Sequence, residues 1–289
     1  MKYNEVLPCR CFLKKKFSGN GLTIFEINEE FDKKSMHILT QEMKQFESIF
    51  YYKINPNTFR AYIFTVEEEL DFAGHPIIGL SAMLHDLYSP EKERNSWTIE
   101  LNEKPVVVET TKKPNYYSAR MNQGIPEFKT VLRKEQETEF LSYLNLSMED
   151  KFEEFPFQVV STGLPYLIVP VKASALGKSK IIIPDLEVKL NEIGAKFIFV
   201  LDVAGKQGRT WDNQGWVEDV ATGSSAGPVG AYLVENKIAE INNEIIIEQG
   251  HFLGRPSQIK VMVTGENEQM DHVFVEGDVC KIAQGEVFI

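Results

Sequence analysis

The chain has 289 residues, 43% of them hydrophobic, and its 42 acidic and 31 basic side chains give a net charge of −11 at pH 7. This length suits one large domain or two ordinary ones, and the composition is that of a globular protein. The negative charge disfavours binding to nucleic acid or to an anionic membrane surface. No apolar run approaches the roughly 20 residues that a membrane-spanning helix needs.

The amino-terminal segment and the cysteines predict a cytoplasmic protein. Residues 1–17 carry several charges and no continuous apolar stretch, so they do not resemble a secretory signal. Cys9, Cys11 and Cys280 are an odd number of cysteines, which argues against a disulfide framework. We therefore expect reduced thiols, and no pair of histidines has a spacing that favours a metal site.

Taken in chain order, the sequence predicts many short strands and fewer helices. Strands are indicated by runs rich in Val, Ile, Phe and Tyr that are bounded by Gly, Pro, Asn or Asp. The predicted strands are 22–27, 48–54, 59–65, 97–101, 105–109, 158–160, 166–170, 180–184, 197–203, 244–248 and 258–264, then a hairpin of 272–276 and 279–283 around Gly277-Asp278, and a last strand at 286–289. Helices are predicted at 34–44, 135–145 and 185–193.

Two further predicted helices, 76–88 and 228–235, are largely apolar. A helix that is apolar on all sides is buried, so we expect each of them to lie inside a sheet that wraps around it. Residues 110–126 are polar and contain two prolines, which makes them the best candidate for a linker between two domains.

An internal repeat organises the chain. The stretch ELDFAGHPIIGLSAML (69–84) aligns with EDVATGSSAGPVGAYL (218–233) when Gly74 is placed on Gly223. Each copy contains an acidic residue, small residues, a glycine and then an apolar helix, and each lies midway through a β-rich half. The repeat predicts two similar halves related by a pseudo-two-fold axis, with both glycine loops facing one interdomain cleft.

Both loops of the repeat lead from their glycine into a predicted helix. A helix start carries unpaired backbone N–H groups and partial positive charge, so it favours an anion. Gly223 would let the backbone approach a ligand closely, and Thr222 and Ser224 would add hydroxyl donors. The phosphate-loop pattern with its lysine is absent, which favours a small anion such as a carboxylate. A plain helix cap with close packing is the alternative.

Four stretches resemble motifs of the phenazine-biosynthesis isomerase-like (PhzF-like) family, within the diaminopimelate epimerase fold superfamily. They follow one another through essentially the whole chain: FSGNGLTIF (17–25) is similar to F-x-G-N, DFAGHPIIG (71–79) to F-A-G-H-P-x-x-G, GWVEDVATGSSAGPVGAYL (215–233) to G-x-x-E-D-x-A-T-G-S-A-x-G-P, and QGHFLGRPS (249–257) to Q-G-x-x-x-G-R-P-S.

The resemblance implies an α+β fold of two similar domains, each a curved, mostly antiparallel sheet or barrel around a central helix. We expect the first domain at 1–120 and the second at 125–275. We also expect the C-terminal strand, within 276–289, to pair back onto the first domain.

The resemblance also implies an activity and a site. The best-studied reaction of the family is the isomerisation of a hydroxylated dihydroanthranilate by proton transfer without a metal or organic cofactor, and family members are commonly homodimers. The family's catalytic glutamate corresponds to Glu47, although Phe46 stands where the family usually has serine. The other catalytic positions correspond to His75 and Asp219. The substrate-binding positions correspond to Gly74, His75, Gly223 and Ser224.

The surroundings of Glu47 suit a general base. It lies in the apolar run FESIFYY (46–52), where burial would raise the pKa of a carboxyl group toward the working pH. The amino-acid epimerases of the superfamily use one cysteine from each half, and those positions correspond to Ala73 and Thr222, so we expect no two-thiol mechanism. The sequence therefore predicts an isomerase or epimerase that acts on a small, cyclic carboxylate through Glu47.

Other interpretations of the same residues stay open. Glu47 could be a solvent-facing strand carboxylate, His75 a structural residue at a helix start, and Asp219 a loop cap. A hydrolase triad lacks its G-x-S-x-G turn. The alternative function is a catalytically inactive protein of the same fold that binds a small carboxylate.

Overall fold

The computed structural model describes residues 3–15, 17–267 and 269–288. Its helices are α1 Lys33–Met43, α2 Gly74–Tyr88, α3 Lys134–Tyr143, α4 Ala173–Leu176, α5 Leu186–Glu192 and α6 Gly223–Glu235. Its strands are β1 Tyr3–Cys11, β2 Asn20–Glu26, β3 Glu47–Asn55, β4 Thr58–Thr65, β5 Glu69–Leu70, β6 Arg94–Glu100, β7 Pro105–Lys112, β8 Tyr117–Gly124, β9 Glu127–Val131, β10 Gln158–Ser161, β11 Pro165–Val171, β12 Phe197–Asp202, β13 Gln207–Arg209, β14 Glu244–Gln249, β15 Ser257–Glu266, β16 Gln269–Lys281 and β17 Gly285–Phe288.

The chain divides into two compact units. Unit 1 contains the described residues up to Asn122 together with those from Glu276 onward, and unit 2 contains Gln123–Val275. Both units are α+β, with mostly antiparallel strand pairs.

In unit 1, strand pairing runs from β1 to β8. β1 is antiparallel to β2, β2 is parallel to β3, β3 is antiparallel to β4, β4 is parallel to β6, and β6 and β7 are each antiparallel to the strand that follows. The start of β1 also pairs with β17, with Val6 opposite Gly285. Helix α2 contacts β1, β2, β3, β6 and β7.

In unit 2, β9 and β11 are both antiparallel to β10. From β10 onward, β11 is parallel to β12, β12 is antiparallel to β13, β13 is parallel to β14, and β14 is antiparallel to β15. From β1 to β7, with β5 left out, the successive pairs are antiparallel, parallel, antiparallel, parallel and antiparallel. The pairs from β10 to β15 follow the same order. Helix α6 contacts β10, β11, β14 and β15.

The two apolar helices are buried, as their composition predicts. Every residue of α2 from Gly74 to His85 is buried, and only Ser224 is partly exposed between Gly223 and Val234 of α6. Glycine lets α2 approach its sheet, because a Cβ atom at Gly79 would lie 2.4 Å from Cδ2 of Leu22. Both helices begin before the proline at which the sequence predicts their start.

The predicted hairpin at 272–283 is wrong, because β16 runs without interruption through Gly277-Asp278. A Cβ atom at Gly277 would lie 2.4 Å from Cδ1 of Phe12. The glycine marks the close approach of an aromatic ring to a continuous strand, whereas the sequence pattern indicates a turn.

The predicted linker at 110–126 contains the boundary between the two units, which lies after Asn122, but the segment is folded into strands. Its residues extend β7 and form β8, in which Tyr117, Ala119 and Met121 are buried on alternate positions. The proline at 114 lies in the turn between these antiparallel strands. The polar residues between the buried ones hide the strand pattern from composition alone.

The predicted strand at 180–184 is not formed. Instead, the backbone N–H groups of Lys180 and Ile182 donate to the carbonyl groups of Leu144 and Tyr143 at the end of α3. This apolar run therefore supplies hydrogen-bond donors to the unpaired carbonyl groups at the end of a helix. Its isoleucine-rich composition indicates a strand and does not reveal this role.

Candidate active site

Glu47 is the first residue of β3 and lies on the face of the sheet that α2 covers. Leu22 is opposite Glu47 in the parallel pair and opposite Cys9 in the antiparallel pair, so these three side chains share one face. Gly79 of α2 packs against Leu22 on that face. Glu47 is only 6% exposed, so the interpretation as a solvent-facing strand carboxylate is wrong.

His75 is the second residue of α2 and lies beside Glu47. Its Nδ1 atom is 3.3 Å from Oε2 of Glu47 and 3.4 Å from Nδ2 of Asn20. Burial lowers the pKa of His75 to about 3, so the imidazole is neutral at neutral pH. The two side chains therefore form a carboxylate–imidazole contact rather than an ion pair. The Nε2 atom of His75 is buried and has no hydrogen-bond partner within the described chain.

The start of α2 has no side-chain cap. Ala73 is the N-cap residue in extended conformation and makes no side-chain cap hydrogen bond. Gly74 follows as the first helical residue. Backbone donors at a helix start that lack a cap need another partner, such as water or a ligand.

In unit 2, the start of α6 is tied to Asp219. Thr222 is the N-cap residue, but its side chain makes no cap hydrogen bond. Its Oγ1 atom instead donates to Oδ2 of Asp219 at 2.5 Å. Asp219 is 4% exposed, so the hydroxyl meets a buried carboxylate oxygen.

Ser224 is the partly exposed residue at the start of α6. Its Oγ atom lies 2.8 Å from the hydroxyl of Tyr166 on β11. The ring of Tyr166 packs against that of Phe197 on β12. The hydroxyl group of Ser224 is therefore oriented by a residue from the sheet.

Gln249, the last residue of β14, also contacts this loop. It is fully buried, its Oε1 atom accepts from the backbone N–H of Thr222, and its Nε2 atom donates to the carbonyl of Asp219 and to Oγ1 of Thr222. Gly250 has a positive φ of 77°, and a Cβ atom there would lie 2.3 Å from the carbonyl oxygen of Arg255. The motif at 249–257 therefore braces the loop that carries Asp219.

A buried arginine fixes the residue before Asp219. The guanidinium of Arg209 donates to both carboxylate oxygens of Glu218 and to the carbonyl groups of Leu176 and Ser179. The guanidinium also lies over the rings of Trp211 and Phe252. A bidentate arginine–carboxylate pair holds its partner in one geometry, so this end of the loop is rigid.

The structure thus places the predicted residues in two groups. Glu47, Gly74 and His75 lie together in unit 1, and Asp219, Gly223 and Ser224 lie together in unit 2.

Sequence reasoning missed three residues of these groups: Asn20, Tyr166 and Gln249. Asn20 and Gln249 are fixed positions of two of the motifs, so the motifs themselves are a signal for them. Tyr166 follows a Gly-Leu-Pro turn, and its position carries no signal of its own.

The described residues, with gaps at 16 and 268, contain no group of three or more His, Cys, Asp or Glu side chains that could hold a metal ion. In that same part of the chain, no helix combines the length and the apolar character needed to cross a membrane.

Comparison with known proteins gives consistent results. The sequence model of a family described as phenazine biosynthesis-like protein matches residues 9–285. An uncharacterized isomerase of Clostridium acetobutylicum is 27% identical, over 100% of this chain and 99% of that protein. The trans-2,3-dihydro-3-hydroxyanthranilate isomerase of Pseudomonas aeruginosa is 28% identical, over 96% of this chain and 97% of that protein. A solved structure described as a predicted epimerase, also from Pseudomonas aeruginosa, has a TM-score of 0.93 and 41% identity, and 99% of each chain is covered.

Proposed function

The chain belongs to the phenazine biosynthesis-like protein family and is an isomerase; we propose that it moves a proton on a small, cyclic carboxylate without a metal or organic cofactor. Glu47 takes the proton from carbon, and His75 and Asp219 orient the substrate or assist protonation. The observation that carries the proposal is the contact of 3.3 Å between Glu47 and the buried, neutral His75.

Glu47 suits the role of base because it is a carboxylate in a nearly dry environment. Its side chain is 8% exposed, and its neighbour His75 is neutral at neutral pH, so this contact brings no positive charge to the carboxylate. A carboxylate that is removed from water accepts a proton more readily than one in water. The Nε2 atom of His75, which is buried without a partner in the described chain, is available to a polar atom of the substrate.

The carboxylate of the substrate is proposed to bind at the uncapped helix starts. The N-cap residues Ala73 and Thr222 give no side-chain cap to α2 or α6, which supports anion binding at Gly74-His75 and at Gly223-Ser224. We propose that the two loops hold one substrate in a cleft between two pseudo-symmetric domains, at 1–120 with the C-terminal strand and at 125–275. The similar order of strand pairing in the two units supports this symmetry.

We also propose a cytoplasmic homodimer as the working form: the dimer follows from the resemblance to the family, and the location follows from the odd number of cysteines. The isomerase from Pseudomonas aeruginosa that is 28% identical is named for its substrate, trans-2,3-dihydro-3-hydroxyanthranilate. This compound is a cyclic carboxylate and is therefore the first substrate to test. A catalytically inactive carboxylate-binding protein is the second candidate function. It is favoured only by the departure at Phe46, which replaces the usual serine before the base.

Proton exchange in D₂O tests the proposal. The wild-type protein is incubated with trans-2,3-dihydro-3-hydroxyanthranilate and with a panel of other cyclic carboxylates that includes L-proline, and loss of each carbon-bound proton is followed by NMR. Glu47→Gln keeps the shape of the side chain but removes its basicity, so we expect exchange to fall by about 100-fold or more. Glu42→Gln, at an exposed position of α1, is the matched control and should exchange at the wild-type rate.

Two outcomes would contradict the proposal. Exchange at the wild-type rate in Glu47→Gln would remove Glu47 from the mechanism. Binding of a panel acid by the wild-type protein without any exchange would instead favour the inactive binding protein.

A further inference from the structure

Gln249 is a fully buried polar side chain, and its hydrogen bonds all go to one short loop. Its amide oxygen accepts from the backbone N–H of Thr222 at 3.0 Å. Its amide nitrogen donates to the carbonyl oxygen of Asp219 at 2.8 Å and to Oγ1 of Thr222 at 3.0 Å. An amide has one acceptor and two donor hydrogens, so all three functions of Gln249 are used.

These contacts fix the direction of the Thr222 hydroxyl. Because Gln249 donates to Oγ1 of Thr222, the hydroxyl hydrogen must point elsewhere, and the carboxylate Oδ2 of Asp219 lies 2.5 Å away to receive it. A carboxylate can only accept, so the chain of donors runs in one direction from Gln249 through Thr222 to Asp219.

The same contacts show what Thr222 does not do. The hydroxyl of Thr222 donates to Asp219, and its backbone N–H donates to Gln249, so neither group is left to donate to a ligand. The donors that remain at this helix start are those of Gly223 and Ser224. Within this set of contacts, the carboxylate of Asp219 is the group that can accept a proton, while the other carboxylate of the loop, that of Glu218, is paired with Arg209.

We infer that Gln249 is a positioning residue that acts through Thr222 to hold the carboxylate of Asp219 in one orientation toward the substrate. The inference rests on the proposed function, because it gives Asp219 a part in the reaction. Arg209 fixes the loop at Glu218, on one side of Asp219. Gln249 adds a second constraint from the end of a strand, on the other side of Asp219.

Two substitutions interrupt the chain of donors at different points. Gln249→Glu keeps the shape but cannot donate, so the Thr222 hydroxyl would turn toward the new carboxylate and leave Asp219. Thr222→Val keeps the branched shape and the backbone N–H but removes the hydroxyl. Thr222→Ser restores the hydroxyl, and Gln258→Glu makes the same change of charge on the neighbouring strand β15, so these two variants are the controls.

Steady-state exchange in D₂O with the panel of cyclic carboxylates is the measurement. We expect Gln249→Glu and Thr222→Val to lower kcat about tenfold to a hundredfold, because a misplaced catalytic group loses this much rate. In Thr222→Val, KM should change less than twofold, because the anion-binding N–H groups are untouched. In Gln249→Glu, KM should also rise, because the new carboxylate lies beside the anion-binding site. The double variant should be no slower than Thr222→Val. Thr222→Ser should recover most of the kcat that Thr222→Val loses, and Gln258→Glu should keep the wild-type kcat.

The outcomes separate this inference from the proposed function. If Asp219→Asn is slow while Gln249→Glu and Thr222→Val keep the wild-type kcat, the positioning role is overturned and the proposed function stands. Lower thermal stability of these two variants with unchanged kcat also overturns it, since that result shows a purely structural brace. If Asp219→Asn exchanges at the wild-type rate, Asp219 has no part to be positioned for and the inference falls, although Glu47 can still be the base. If the wild-type protein exchanges no acid of the panel, both fall together.

Discussion

The Nδ1 atom of His75 lies 3.3 Å from Oε2 of Glu47, at the point where the first turn of a buried helix meets the first residue of a strand. The contact joins a carboxylate to an imidazole that burial keeps neutral. This pairing has consequences for stability as well as for catalysis.

The free energy of unfolding should depend on pH through His75. Its pKa is about 3 in the folded protein and 6.5 in an unfolded chain, so between these values only the unfolded state takes up the proton. Stability contributed by the neutral histidine is therefore fully present above pH 6.5 and is lost as the pH falls below it. From pH 7.5 to pH 5.5 the loss should be about 1 kcal/mol.

Urea unfolding of the wild-type protein and of His75→Gln at these two pH values isolates this effect, because all other titrating groups are common to both. We expect the difference in free energy of unfolding between the two proteins to change by about 1 kcal/mol, with the wild-type protein losing more at pH 5.5. A difference that stays constant with pH would show that the pKa of His75 is the same in the folded and the unfolded protein, and would contradict the expected effect of its burial.

Tyr166→Phe should weaken substrate binding with little effect on the chemical step. The substitution keeps the ring that packs on Phe197 but removes the hydroxyl that lies 2.8 Å from Oγ of Ser224. Loss of one such hydrogen bond costs about 0.5–1.5 kcal/mol, which corresponds to a KM about 2- to 12-fold higher. The KM is measured from exchange kinetics with the panel of carboxylates.

Tyr143→Phe removes a hydroxyl that contacts Glu139 on α3 and serves as the control, which should leave KM unchanged. An unchanged KM in Tyr166→Phe as well would mean that Ser224 needs no orientation by the sheet, or that it does not touch the substrate.

Gly79→Ala should destabilise the protein although alanine is the better helix former. The added Cβ atom would lie 2.4 Å from Cδ2 of Leu22 and 2.8 Å from Sγ of Cys11, so α2 or the sheet must shift. Overpacking of this kind costs about 1–3 kcal/mol, more than the roughly 1 kcal/mol gained in helix propensity. Chemical denaturation of the purified variant gives the value.

Leu22→Ala removes the nearer of these two atoms and should partly rescue Gly79→Ala. The double variant should lose less than the sum of the two single losses, with a coupling of about 1 kcal/mol or more. Strict additivity would place the strain of Gly79→Ala elsewhere on α2.

The resemblance to family motifs leads to Glu47 and His75, which the structure brings within 3.3 Å of each other, and the burial of α2 follows from its apolar residues. The hydrogen bonds of Gln249 are not reachable in this way, because they join residues 27 and 30 positions apart whose pairing depends on the path of β14.

The wrong predictions share a physical cause. The residue type of Gly277 predicts a turn, but a ring of Phe12, distant in sequence, occupies the space that a side chain would need. Tyr117 and Met121 are buried in a core, but the polar residues beside them in the sequence hide the strand pattern. In each case a tertiary contact overrides a local preference.

The pairing of β17 with β1 constrains the order in which the protein can be completed during synthesis. The first strand leaves the ribosome long before its partner Gly285–Phe288 is made. Unit 2 is continuous in sequence and is made before β17, whereas unit 1 keeps an open strand edge at β1 until β17 has been made. The order of completion is therefore the reverse of the usual one, in which the amino-terminal part of a chain finishes folding first.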